Sequence, residues 1–246
     1  MTTRKFAVLS VLALALTLVF STGLAYAQDG EGGDDDAAPA ERTLGDNIMA
    51  SMPIGGILIL LSVGSLGLAI EHFTSIQRDK IIPPEVVQEL EALFDEEDYE
   101  GALHFCETQP GFVTNVLAAA LPRMSQGYEA MASAMEQAGE EEAVKLQMKI
   151  SLLSLIASVG PMLGLLGTVM GMVSAFNVIA TKEGGANPQD LADGISQALM
   201  TTVMGLIVAL PALMLYFFFK NKTTKLILEA GIVCSELIDR FRPVEA

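Results

Sequence analysis

Three long apolar runs, separated by polar segments of very different length, organise this chain. One spans 150–181 and reads "ISLLSLIASVGPMLGLLGTVMGMVSAFNVIAT"; another spans 194–219 and reads "GISQALMTTVMGLIVALPALMLYFFF". Neither contains an acid or a base. The remaining run, 48–70, is also uncharged, closes at Glu71-His72 and carries Gly55, Gly56, Gly64 and Gly67, small residues that allow close helix approach. Each run reaches the ~20 residues needed to cross a ~30 Å hydrocarbon core, so three transmembrane helices are expected. An apolar stretch at 6–20 is shorter. With Arg4 and Lys5 before it and Ala25-Tyr26-Ala27 after it, it reads as a signal peptide over 1–27 with a mature start at Gln28. An uncleaved signal anchor is the competing reading. Residues 28–47, "QDGEGGDDDAAPAERTLGDN", cannot bury a core and are expected to be an acidic disordered linker in the periplasm.

The polar segment 71–149 predicts a helical domain. Pro84 suits a first helical turn, after which Val86, Val87, Leu90, Leu93 and Phe94 share one face. "DEEDYEGALHFCETQPG" predicts a second short helix stopped by Pro110-Gly111. A third carries Phe112, Val113, Val116, Leu117, Ala120 and Leu121. From Tyr128 to Ile150 there is no proline, and the pattern runs straight into the second span, predicting one long helix that leaves the membrane. Leu226, Ala230, Val233 and Leu237 follow a four-three-four spacing, so the last span is expected to continue through 220–246 as a helix with a packing seam. Core packing accounts for these apolar positions.

Charge placement gives the orientation. Arg78 and Lys80 follow the first span, Lys145 and Lys149 precede the second, and Lys220, Lys222 and Lys225 follow the third; the opposite side carries Arg42 and Lys182. The positive-inside rule therefore puts the mature N-terminus outside, 71–149 in the cytoplasm, 182–193 in a short periplasmic loop and the C-terminus inside. Cys106 and Cys234 then lie in a reducing compartment, and no disulfide is expected.

Composition narrows the function. The 246 residues are 51% apolar, contain no Trp and have a mean hydropathy of +0.46, the profile of an integral membrane protein. A net charge of −16 argues against nucleic-acid binding. Acids concentrate in 29–46 and 71–142 without metal-ligand spacing, which reads as a solvated surface. The two cysteines and two histidines, His72 and His104, form no metal or redox motif, and no cofactor is expected.

Inside the spans the polar groups are hydroxyls and an amide. Gly160, Gly164, Gly167 and Gly171 recur at four, three and four, forming one stripe; Ala198, Thr202, Gly205, Ala209 and Ala212 form a second. These stripes predict tight helix packing, within a subunit or between subunits. Pro161 and Pro211 each remove a backbone hydrogen bond and are candidate kinks. Thr168 lies beside the first stripe and Thr202 on the second. Each hydroxyl can hold water or a carboxylic acid, or can bond back to its own helix. Ser174, Asn177, Ser196, Gln197 and Thr201 lie nearer the outer ends, where solvent contact is the simpler expectation.

The stretches "GPMLGLLGTVMGMVSAF" at 160–176 and "DGISQALMTTVMGLIVALPALMLY" at 193–216 resemble the MotA/TolQ/ExbB proton channel family, most closely its ExbB/TolQ branch. A weaker likeness extends over 53–150, including "EHFTSIQRDKIIPPEVV". The resemblance implies an all-α, three-span inner-membrane subunit, assembled as a homo-oligomer, by resemblance a pentameric ring in the lipid bilayer. It implies an enclosed, single-span ExbD/TolR-like partner that supplies a membrane aspartate, and a TonB/TolA-like periplasmic energy transducer. By that resemblance Thr168 and Thr202 face the partner's carboxylate, and Gln197 and Thr201 mark an ion-path entrance. The family often has glutamate where Gln197 stands; an amide cannot relay a proton. The implied function is a ring subunit that couples the proton motive force to energised outer-membrane transport or envelope maintenance.

Other readings differ in what they require. A flagellar-type stator subunit resembles a four-span chain without a cleaved signal, which a retained anchor would restore. An intramembrane hydrolase needs a nucleophile with a base, or paired carboxylates, and the spans offer neither. A passive scaffold would use the threonines for packing alone. Sodium in place of protons is compatible with the same residues.

Overall fold

A computed structural model describes residues 54–181 and 188–242. The signal-peptide and linker readings, the first residues of the 48–70 span, the first half of the expected 182–193 loop and the last four residues lie outside them. Seven α-helices and one 3-10 helix make up the described chain: α1 Ile54–Ser75, α2 Arg78–Ile81, α3 Pro84–Asp95, α4 Tyr99–Thr108, α5 Phe112–Ala120, the 3-10 helix Leu121–Gln126, α6 Tyr128–Thr181 and α7 Pro188–Asp239. Among the described residues there is no strand. Three of these helices are long and apolar enough to cross a membrane: α1, α6 and the Gly194–Asp239 part of α7.

The two long helices follow the expected pattern. α6 runs from the polar segment through Pro161, and α7 runs through Pro211 into the tail, both without a break in helix. α1 extends past the expected end at Ile70 to Ser75, because its last turn is covered by aromatic side chains from α7. α7 begins at Pro188, ahead of the apolar run, with proline in the first helical position where its missing N–H costs nothing.

The described chain divides into two compact units. One comprises 54–66 and Leu155–Leu213; the other comprises Gly67–Ser154 and 214–242. In the first, large apolar side chains point outward, with Leu60, Val63, Met162, Leu165 and Phe176 each exposed. In water such a surface would be untenable; in a bilayer it is the solvated face.

The second unit has a conventional interior. Leu90 and Phe94 on α3, Ala102 and Cys106 on α4, and Val113, Val116 and Leu117 on α5 are buried together with Leu226, Ala230, Cys234, Leu237 and Ile238 of α7. Val86, Val87, Leu93 and Val233 of the expected faces are partly buried against them. Short helices fit because their ends are specified locally. Pro84 opens α3. Asp98 caps α4 by accepting from the Gly101 N–H at 2.9 Å. The Asp98 carboxylate sits in the space beside Gly101, so a larger residue there would shift the capping side chain. Gly127, at φ +97°, makes the left-handed turn into α6. Phe241 packs on Phe94 and Tyr99, while Arg240 Nη1 meets Asp95 Oδ1 at 2.6 Å, fixing the end of α7.

A candidate ion-path helix pair

Within the membrane-type unit, α6 and α7 meet along the two small-residue stripes. A β-carbon at Gly160 would stand 3.1 Å from the Gly205 carbonyl oxygen, and one at Gly205 would stand 2.7 Å from the Gly160 carbonyl oxygen. At Gly164 it would lie 3.0 Å from Thr202 Cα, and at Gly171 2.8 Å from Ala198 Cβ. Gly167 faces the Thr201 side chain so closely that no β-carbon fits. Ala209 completes the row, 3.3 Å from the same point at Gly160. The stripes thus pair with each other inside one chain. Any larger side chain at Gly164 or Gly205 must separate the helix backbones. The glycines of α1 differ: Gly56, Gly64 and Gly67 meet nothing within 4 Å.

Three threonine hydroxyls decorate this seam. Thr201 is 3% exposed; its Oγ1 lies 2.7 Å from the Ala198 carbonyl and 3.2 Å from the Gly164 carbonyl. One hydroxyl hydrogen serves one of these acceptors fully, or both weakly. Thr202 Oγ1 donates to the same Gly164 carbonyl at 3.2 Å and is half-buried. Thr168 Oγ1 donates to Leu165 O of its own helix at 2.6 Å and is also half-buried. In Thr168 and Thr202, both half-buried, the hydroxyl hydrogen is engaged while the oxygen keeps its capacity to accept. A hydroxyl held this way accepts hydrogen bonds, so it favours a protonated carboxyl over an ionised one.

The sequence placed Thr202 on the stripe and Thr201 near a solvated end. In the structure Thr201 is the more deeply buried, wedged against Gly167. The signal was present: Ala198, Thr201 and Gly205 follow a three-four spacing, as regular as the one through Thr202. Gln197 is half-buried and Ser196 and Asn177 are exposed, so the amide does not join the threonine cluster through any hydrogen bond among the described residues. His72 carried no role in the sequence reading, yet it is buried in the last turn of α1.

No three-residue group of His, Cys, Asp and Glu able to hold a metal occurs among the described residues. The cysteines, distant in sequence, share one core and are unbridged. Burial pushes the Cys106 thiol up to about 11, helped by Glu107, and the Cys234 thiol up to about 12, helped by Cys106. Both are therefore packing groups held in the unreactive thiol form.

The sequence profile of the MotA/TolQ/ExbB proton channel family matches residues 109–231, which contain α6, the helix seam and most of α7. Biopolymer transport protein exbB1 of Vibrio cholerae is 41% identical over 73 residues, 30% of this chain and 32% of that protein. Tol-Pal system protein TolQ of Pseudomonas aeruginosa is 36% identical over 99 residues, 40% of this chain and 42% of that protein. The chain thus spans less than half the length of these curated relatives. The solved structure of C. jejuni MotAB shares the fold, with a TM-score of 0.56 over 95% of this chain and 89% of that one, at 18% identity. With half its length inside the family profile and relatives named ExbB and TolQ, the chain belongs to the MotA/TolQ/ExbB proton channel family, on its ExbB/TolQ branch.

Proposed function

We propose that this chain is the ring-forming subunit of an inner-membrane proton channel that couples the proton motive force to energised outer-membrane transport or envelope maintenance. Its mature N-terminus is periplasmic and its C-terminus cytoplasmic. One observation carries the reading: two half-buried hydroxyls, Thr168 and Thr202, flank a glycine-packed helix seam with their hydrogens already donated. No acid or base lies within the apolar runs of α6 and α7, so the titrating carboxylate comes from a partner chain. An ExbD/TolR-like single-span protein with one membrane aspartate fits that requirement, enclosed by several copies of this chain, a pentamer by family likeness. A TonB/TolA-like periplasmic transducer would receive the work.

The chemistry follows from the hydroxyl geometry. An ionised carboxylate is costly in the low-dielectric interior. A proton entering from outside removes that charge, and the neutral acid donates its hydrogen to the lone pairs of Thr168 or Thr202. Release to the inside restores the charge, which no longer suits those acceptors, and biases the partner toward its next position. Each proton crossing 100 mV supplies ~2.3 kcal/mol, enough for a few protons to drive a large rearrangement. The chain itself breaks no covalent bond in this scheme, and we read it as non-enzymatic.

A flagellar-type stator is the second reading, favoured by the fold shared with C. jejuni MotAB. Passive scaffolding is a third, favoured by the hydroxyls' existing bonds to helix carbonyls. Proton flux through liposomes holding this chain and its partner decides between a channel and a scaffold. Flux that needs both chains and a membrane potential is expected; its absence sinks the channel reading.

A further inference from the structure

We propose that His72 and Thr223 form a buried, hydrated proton-accepting site where α1 and α7 leave the apolar zone. In the unit that contains both, His72 is 2% exposed and its Nε2 has no partner; Thr223 is 1% exposed and its Oγ1 has none. Buried polar groups are almost always paired, with protein or with ordered water, so two orphans in one region are a pointer to what belongs there. One ring joins them. Phe219 lies edge-on to the His72 imidazole at 5.5 Å, and Thr223 follows Phe219 by one helical turn on the same face of α7. Phe73 also packs against Phe219, with ring centroids 4.9 Å apart.

Thr223 is also unusual for its helix. Its neighbour Thr224 donates back to the Lys220 carbonyl at 3.0 Å, and Thr74 on α1 donates to Glu71 O at 2.8 Å. Membrane-helix threonines ordinarily do this. Thr223 does not, and its hydroxyl remains available as both donor and acceptor. An imidazole nitrogen and a hydroxyl supply two of the polar partners that a buried water requires.

Histidine makes the site chemical as well as structural, because a neutral imidazole has one nitrogen that can accept a proton and return it. Charges on the helices around it are engaged elsewhere or face solvent. Glu71 on α1, Lys149 on α6, and Lys220 and Lys225 on α7 are exposed, and Arg78 pairs with Glu229 at 3.4 Å. Lys222, on α7 one residue before Thr223, is half-buried. Among the described residues no carboxylate pairs with His72. With the ring proton on Nδ1, a proton reaching the shared water passes to Nε2 and gives the imidazolium; transfer back to water on the cytoplasmic side restores the neutral ring. Only N–H and O–H bonds form and break. The direction of this transfer rests on the proton-channel reading; the site itself rests on the two unpartnered atoms.

The test uses the full chain with its partner in lipid nanodiscs. Replacing exposed His104 by Gln leaves His72 as the one histidine. With ring-15N labelling, the His72 nitrogens are expected to respond to pH, to show a cross-peak to water, and to shift in Thr223→Val. His72→Gln and His72→Phe are expected to slow proton flux severalfold with assembly unchanged by native mass spectrometry. A ring that neither titrates nor meets water overturns the site whatever the flux. A ring that titrates while both variants conduct normally overturns the relay, leaving hydration alone. If the unmutated complex conducts no protons, the channel reading fails, and the spectra still decide whether the site binds water and a proton.

Discussion

Thr202 donates its hydroxyl hydrogen across the helix seam to the Gly164 carbonyl at 3.2 Å, so the residue proposed to meet the partner's acid is also one that clamps α6 to α7. Packing and proton handling therefore share an atom.

Gly164→Leu and Gly205→Leu place a branched side chain where β-carbons already have no room. Overpacking of this kind costs about 1–3 kcal/mol, and the helices must separate to accept it. Both variants are expected to unfold at lower temperature and to lose oligomer by native mass spectrometry. Gly64→Leu, at a position that meets nothing within 4 Å in the chain, is the control expected to keep the subunit's own melting temperature.

Thr168→Val with Thr202→Val deletes two hydroxyls while preserving shape. A hydrogen bond within a membrane helix bundle is worth about 0.6 kcal/mol on average, so assembly is expected to survive. Loss of motor-dependent transport with a normal oligomer is the expected result. A double variant that assembles and transports fully would falsify the assignment of these threonines to the ion path.

Thr201→Val separates packing from flux in the other direction. Its hydroxyl is sealed in the seam, so the variant is expected to conduct protons normally while melting slightly earlier. Gln197→Ala is expected to have a mild effect on flux, because an amide has no proton to relay. A Thr201 variant that assembles but fails to conduct would move the path into the seam itself.

The buried thiols set an upper pH limit. Burial raises Cys106 to about 11 and Cys234 to about 12, above the ordinary value of 9.0. Below that ordinary value the thiols are neutral in both states and cost nothing. Above it the unfolded chain ionises first, so stability is lost progressively as pH climbs toward the folded values. Chemical-denaturation midpoints are expected to fall over that range, and less so in Cys106→Ala with Cys234→Ala. Equal slopes in both proteins would mean the thiols ionise without unfolding.

Topology is tested by labelling single cysteines in that same cysteine-free background. A probe at Gly185, between α6 and α7, is expected to react from the periplasm, and one at Ala130 is expected to be protected in intact spheroplasts. The reverse pattern would invert the orientation and the direction of proton entry.

Sequence by itself determined the elements and the family. Long uncharged runs leave helix as the way to satisfy their backbone, so α1, α6 and α7 were legible from composition. So were Pro84 at the start of α3 and the run of α6 from Tyr128 into the second span, because caps and breakers act locally. The two glycine and alanine stripes were legible too, as periodicity is a property of one helix. Which stripe meets which was not, since pairing depends on two helices at once; only the tertiary structure set Gly160 against Gly205 and chose Thr201 for the sealed position beside Gly167. Burial of His72 escaped the sequence for the same reason. Its ring packs against Phe219, well over a hundred residues away in the chain, and distance along a sequence carries no record of distance in space.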